Sequence, residues 1–312
     1  MANLLEKFFI FLLFSTLLSI LLLQIFPSGK TEITDPEEDW LKRQHGRRDT
    51  LNSTCLNKTS SRSASWQLDD VVVKQLFVEE SHKFIYCEVP KVGCSNWKKI
   101  LVFLTLNMSR DSLEIDHSMV HRTNIIRRLN SYPSEKQAEL LNTYTKVMFS
   151  RHPFERLVSA YRDKLLHSEP YYSTTVANEI KAFAKKDQNT NEKVTFQDFV
   201  NYILSRNPKV LDIHWKPMHL LCDPCHIQYD IVGKYETLAQ DADHILRRIG
   251  APGSLQYSNS KVHSTEKRTD KNITLNYLRE LNQDQMQKLK DLYQIDASLF
   301  SYSLTLEPET QH

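Results

Sequence analysis

Apolar and polar positions along the chain follow two alternating rhythms. Short runs rich in β-branched and aromatic residues, bounded by Pro or Gly, alternate with stretches whose apolar residues return every three or four positions. Phe84-Ile85-Tyr86-Cys87-Glu88-Val89 is the first such run and reads as a buried strand. Trp97, Ile100, Leu101 and Leu104 then follow at the spacing of a helix stripe. Thr145-Lys146-Val147-Met148-Phe149-Ser150 reads as a second strand, and Pro153 suits the first turn of the helix after it. Phe154, Leu157, Val158, Tyr161 and Leu165 form that helix's core-facing stripe. Ser134 with Gln137 has the form of a capping box opening a helix towards Leu141, and Thr195 caps another with Phe196, Phe199, Val200 and Ile203 on one face. Asp230-Ile231-Val232-Gly233 suggests a strand, then a helix through Ile245, Leu246 and Ile249 that Gly250 and Pro252 stop. Leu275, Leu278, Met286, Leu289 and Leu292 mark a late helical region. Strands alternating with helices predict an α/β fold with a central parallel sheet covered on both faces, and ligands at the carboxyl ends of its strands.

Both strand-to-helix junctions carry chemistry. In the first, Val89-Pro90-Lys91-Val92-Gly93-Cys94-Ser95-Asn96-Trp97, a helix start presents backbone N–H groups to an anion, Gly93 permits close approach and Lys91 adds a mobile charge. The lysine precedes the glycine, so the G-x-x-x-x-G-K-[ST] pattern of ATPases is absent. In the second, Arg151-His152-Pro153-Phe154-Glu155-Arg156-Leu157-Val158-Ser159, an arginine fork and a hydroxyl two helical turns on suit another phosphate. Each junction alone also has an ordinary reading, the first as a βα turn with a surface lysine and the second as a salt-bridged surface arginine. Together they describe a site for a ligand with two anionic ends.

This pair resembles the donor-binding loops of sulfotransferases: the first, the loop holding the 5′-phosphosulfate of 3′-phosphoadenylyl sulfate; the second, the 3′-phosphate motif with Arg151 and Ser159. Further stretches are similar to the Golgi carbohydrate sulfotransferase family of HNK-1, chondroitin 4-O- and N-acetylgalactosamine 4-O type, nearest its N-acetylgalactosamine 4-O branch. They are Tyr86 to Lys99, Phe154 to Lys164, Asp212-Ile213-His214-Trp215, Leu221-Cys222-Asp223-Pro224-Cys225 and Val232-Gly233-Lys234-Tyr235-Glu236-Thr237-Leu238. The resemblance covers roughly residues 82 to 304. It implies a P-loop-like sulfotransferase fold, the phosphosulfate as donor substrate, no metal, and a GalNAc-containing N-glycan, chondroitin or dermatan as acceptor.

The N-terminus bears on compartment. Phe8 to Phe26 is an uncharged run long enough to span a bilayer; a cleaved signal peptide is the rival reading. The sequons at Asn52, Asn57, Asn107 and Asn272 favour a lumenal body. The expected organisation is a cytosolic tail at 1–7, a signal anchor at 8–26, a polar and flexible stem at 27–80, a lumenal catalytic domain at 81–306 and a C-terminal tail at 307–312. That is a single-pass type II protein of the Golgi membrane. A net charge of +2 argues against a general nucleic-acid binder, and a homodimer stays open.

Five cysteines in a lumenal chain predict disulfides with one thiol left over. Cys222 and Cys225 lack a second pair for zinc, and a crosslink at Cys94 would hinder ligand approach.

Sulfuryl transfer requires loss of the acceptor proton, in-line alignment and neutralisation of the leaving phosphate. Lys91 and the N–H groups from Gly93 to Asn96 suit the last two tasks. The base near neutrality is most often histidine. His121 is the first choice, since Val120-His121 resembles the segment where the family places its base; His117, His214 and His263 compete. His263-Ser264 with Arg268 also resembles a segment closing over the ligands, and Trp215 reads as core. A kinase-like nucleotide enzyme and a non-catalytic membrane-anchored lectin are the alternatives.

Overall fold

The computed structural model describes residues 3, 35–56, 68–108, 125–167, 169–187, 192–258 and 266–306. Two compact units form, Met1–Asp39 and Trp40–His312. Of the first, the described stretch is Asp35–Asp39, where Asp39 N–H donates to Asp35 O (3.0 Å) in the opening turn of a helix. That helix is α1, Pro36–Leu56. The second unit continues with α2 (Asp70–Gln75), β1 (Leu76–Glu79), β2 (Phe84–Cys87), α3 (Cys94–Thr105), β3 (Arg127–Arg128), α4 (Ser134–Thr143), β4 (Thr145–Ser150) and α5 (Pro153–Leu165). A π-helical turn, Tyr171–Val176, runs into α6 (Ala177–Phe183), followed by α7 (Phe196–Leu204) and α8 (Met218–Cys222). Strand β5 (Ile231–Lys234), α9 (Leu238–Arg248), α10 (Lys271–Leu278) and α11 (Gln283–Leu299) complete it.

The five strands form one sheet in the order β3-β1-β2-β4-β5. β2 pairs parallel with β4 (Phe84 opposite Thr145, Cys87 opposite Met148), and β4 parallel with β5 (Val147 opposite Ile231). β1 is antiparallel to both β2 and β3. The sheet is therefore mixed, not the parallel sheet expected. The turn at 80–83, with Lys83 at φ 51°, is too short for the crossover that a parallel pair needs.

Trp97 of α3 packs its fully buried ring against Phe84, Tyr86, Phe149 and Tyr257, locking α3 onto the sheet. Fully burying a large apolar side chain of this kind contributes about 1.5–3 kcal/mol. A second core joins α5, the π-helical turn, α6, α7 and α11 around Phe154, Tyr161, Phe199 and Trp215. The expected helix at Thr195 has its capping box, with Asp198 as reciprocal partner. The box expected at Ser134 is absent: Pro133 occupies the cap position, and Gln137 Nε2 donates instead to Tyr132 O (2.8 Å).

Residues 40–56 and 70–79 correct the flexible stem. Trp40 Nε1 donates to Asp241 Oδ1 (3.0 Å), and Arg47 reaches Asp241 Oδ2 (2.8 Å). Val232 N–H donates to Gln44 Oε1 (3.1 Å), while Arg47 Nη1 donates to Val232 O (3.0 Å). α1 thus satisfies the open edge of β5 with side-chain amide and guanidinium groups. A helix that docks through hydrogen bonds carries few apolar residues, so its sequence looks like a tether. Cys55 is joined to Cys225, and Cys87 to Cys222. The C-x-x-C pair is therefore split between two bridges, leaving Cys94 as the free, buried thiol.

Among the described residues no helix is long and apolar enough to cross a membrane; the Phe8–Phe26 run lies outside them.

Candidate functional site

Because β2 and β4 are parallel neighbours, the loops that follow them leave the same sheet edge side by side. The first loop turns sharply. Lys91 lies at φ 72° and Gly93 at φ 88°, both in the left-handed region. A β-carbon at Gly93 would collide with the Tyr257 hydroxyl and lie 2.6 Å from Leu238 Cδ2, so only glycine fits. The turn directs the start of α3, with Ser95 and Asn96 half-buried in its first turn, towards the edge that the second loop shares.

Two arginines tie the loops together, in different ways. Arg156, fully buried on α5, spends its fork on backbone carbonyls: Nε donates to Pro90 O (2.9 Å), Nη1 to Lys216 O (2.7 Å) and Nη2 to Ile213 O (2.7 Å). It is a clasp rather than a ligand-facing cation, which corrects its place in the expected donor motif. Arg151 donates from Nη1 to Lys91 O (3.1 Å) and from Nη2 to Thr269 O, with its guanidinium stacked 3.9 Å from the Tyr235 ring centre. Its Nε is buried without a hydrogen-bond acceptor, although Glu155 Oε2 lies 3.5 Å away.

Other residues of the second motif are framework. His152 accepts from Phe154 N–H (3.2 Å) at Nδ1 and donates from Nε2 to Ser303 O (2.7 Å). Burial holds its imidazole below the ordinary histidine range. Pro153, Phe154, Leu157 and Val158 are core, as is Val92 of the first loop. Burial raises the Glu155 carboxyl despite Arg151. Ser159 is half-buried, one helical turn before Asp163 on α5.

Asp163 escaped the sequence reading, although its four-residue offset from Ser159 puts both on one helix face. Its Oδ2 lies 3.1 Å from Lys91 Nζ and 3.5 Å from Lys164 Nζ. Burial depresses the Lys91 ammonium pKa, outweighing the attraction of Asp163. Burial works to raise the Asp163 carboxyl, yet Lys91 and Lys164 hold it below its usual range. Lys164 Nζ also sits 4.9 Å over the Tyr172 ring. The Tyr172 hydroxyl donates to Asp212 Oδ2 (3.0 Å), and Asp212 Oδ1 accepts from His214 Nδ1 (2.7 Å). His117, His121 and His263 lie outside the described residues; Arg268 is exposed, and Trp215 is core as expected. Asn52, Asn107 and Asn272 are exposed, and Asn57 lies outside the described residues. Among the described residues no group of three or more His, Cys, Asp or Glu could hold a metal.

A cationic loop and an arginine-bearing helix start, adjacent at the carboxyl ends of parallel strands, define an α/β protein of the kind that takes phosphate-bearing ligands at that edge. Residues 74–303 match the sulfotransferase family, and the chain belongs to it. Carbohydrate sulfotransferase 9 of Homo sapiens is 42% identical over 241 residues, which cover 74% of this chain and 54% of that protein. Carbohydrate sulfotransferase 8 of Mus musculus is 41% identical over 238 residues, 74% of this chain and 57% of that protein. Carbohydrate sulfotransferase 11 of Rattus norvegicus is 32% identical over 268 residues, 83% and 75% respectively. The chain spans little more than half the length of the first two. No solved structure matches it.

Proposed function

We propose that this chain transfers a sulfuryl group from 3′-phosphoadenylyl sulfate to a sugar hydroxyl. The 4-hydroxyl of N-acetylgalactosamine in a glycan or glycosaminoglycan is the acceptor that the sequence resemblance favours. One observation carries the reading: in a chain of the sulfotransferase family, the Lys91 loop and the Arg151 turn open at one edge of the sheet. The fit to an anionic donor rests on the β-carbon-free turn at Gly93 and on the buried, unsatisfied Nε of Arg151. Lys91, Gly93, Ser95 and Asn96 would meet the phosphosulfate, and Arg151 with Ser159 the 3′-phosphate. Lys91 then supports the charge that develops on the leaving phosphate, and a histidine takes the acceptor proton. Preorganised positioning supplies most of the rate, as in phosphoryl transfer.

The same reading makes the chain a single-pass type II protein of the Golgi membrane, anchored by residues 8–26 and glycosylated in the lumen. Its test is direct. The full chain is incubated with labelled phosphosulfate donor and a panel of glycans with and without GalNAc. Sulfate transfer to the GalNAc-containing members supports the proposal. Glycan binding with neither donor binding nor sulfate transfer would favour the lectin alternative, and transfer of phosphate from ATP instead would establish the kinase-like one.

A further inference from the structure

We infer that His214, oriented by Asp212, is the base that takes the acceptor proton; the inference rests on the sulfuryl-transfer reading above. The placement follows from one side chain. Arg156 donates at once to Pro90 O and to Ile213 O, so the backbone leading into Lys91 and the backbone leading into His214 meet at the same guanidinium. A continuous polar chain then closes the distance on the other side: Lys91 to Asp163, Asp163 to Lys164, Lys164 over the Tyr172 ring, and Tyr172 to Asp212 and His214.

Within that chain the imidazole is held in one tautomer. Nδ1–H donates to Asp212 Oδ1 (2.7 Å), with the Tyr172 oxygen 3.0 Å from the same nitrogen, and His214 N–H also donates to Asp212 Oδ1 (2.9 Å). Nε2 therefore carries the lone pair, and among the described residues it has no partner. The side chain keeps 17% of its surface open, as Lys91 keeps 20%, so both border accessible space. The groups facing the ring are Asp212 on its own segment, Tyr172 on the π-helical turn, Lys164 and Asp163 on α5, and Lys91 on the donor loop. Burial lowers the imidazole pKa more than Asp212 raises it, and Lys164 and Lys91 add to the lowering. The ring is thus neutral at neutral pH, as a base must be.

The step balances. The sugar hydroxyl gives its proton to His214 Nε2 while its oxygen forms the new bond to sulfur. The bond from sulfur to the bridging phosphate oxygen breaks, and that oxygen leaves with the electron pair as adenosine 3′,5′-bisphosphate beside the Lys91 ammonium. The imidazolium, steadied by Asp212, returns its proton to solvent. Tyr172 acts through Asp212 as a positioning residue.

The test uses the full chain, adenosine 3′,5′-bisphosphate as the binding probe and a GalNAc-containing glycan as acceptor. His214→Ala should lower kcat by about 10²–10⁴-fold, leave bisphosphate affinity within about 3-fold and abolish the acidic limb of kcat/KM. Asp212→Asn, which retains the packing volume, removes a group that raises the His214 pKa. It should lower kcat without changing the donor KM and move the acidic limb to lower pH. Near-normal turnover in His214→Ala overturns the inference, as does loss of the acidic limb in His121→Ala with its retention in His214→Ala. A wild-type chain that neither binds the bisphosphate nor transfers sulfate overturns the parent reading, and the inference with it.

Discussion

Lys91 Nζ, in the loop between β2 and α3, lies 3.1 Å from Asp163 Oδ2 on α5, an ion pair that joins the two strand–loop–helix units across their shared edge. In the proposed reaction Lys91 works only as an ammonium, so activity should fall as pH rises through its pKa. Burial lowers that pKa and Asp163 raises it. Asp163→Asn should therefore move the alkaline limb of kcat/KM to lower pH. Lys91→Ala should lower kcat by about 10²–10³-fold, the scale of losing one preorganised donor to a developing anion. Steady-state kinetics across pH check both; an unmoved alkaline limb in Asp163→Asn would refute the role of the pair.

Gly93 combines a left-handed backbone with a neighbour where its β-carbon would sit. Gly93→Ala should cost about 1–2 kcal/mol from backbone strain alone, plus displacement of Tyr257, whose hydroxyl donates to Gly93 O (3.2 Å). The expected result is a lower Tm together with weakened bisphosphate binding, measured by thermal unfolding and calorimetry.

Arg156 satisfies the carbonyls of Pro90, Ile213 and Lys216. Arg156→Ala would strip all three of this donor, at about 1–3 kcal/mol for each that water cannot reach. Arg156→Lys should rescue little, because an ammonium cannot reproduce a planar fork. Chemical denaturation should place both variants well below the wild type.

Cys55–Cys225 pins the end of α1 to the segment after α8, with a sequence separation of 170. Cys55→Ser with Cys225→Ser should destabilise the fold by about 2–5 kcal/mol. Arg47→Ala should weaken the docking of the same helix at its middle by stripping Val232 O and Asp241 of a donor. Thiol labelling of the unreduced, denatured chain should find one reactive group per chain, Cys94. In the native chain burial raises the Cys94 pKa, so alkylation there should be slow.

Much of the architecture is legible locally. The β4 bounds at Thr145–Ser150 and the α5 stripe from Phe154 to Leu165 coincide with the sequence pattern. The αL glycine at Gly93 and the helix stop at Gly250 (φ 73°) also follow from neighbouring residues. The antiparallel β1 was missed, since its apolar run Leu76-Phe77-Val78 sits in a stretch that polar composition had marked as stem. α1 was missed for a related reason: Trp40, Gln44 and Arg47 dock by hydrogen bonds and not by an apolar face.

Periodicity, turn chemistry and charge act over a few residues, so the chain alone specifies its two strand–loop–helix units and the cations they carry. Pairing over long separations obeys no such local rule. The guanidinium of Arg156 meets carbonyls 66, 60 and 57 residues away, and Trp40 meets Asp241 across 201. Which cysteines join, which arginine clasps three carbonyls and which stacks on Tyr235, and which histidine Asp212 and Tyr172 hold all depend on how the sheet orders its strands. Those assignments emerge when the packed core brings distant segments within bonding distance and removes the water that would otherwise serve as partner.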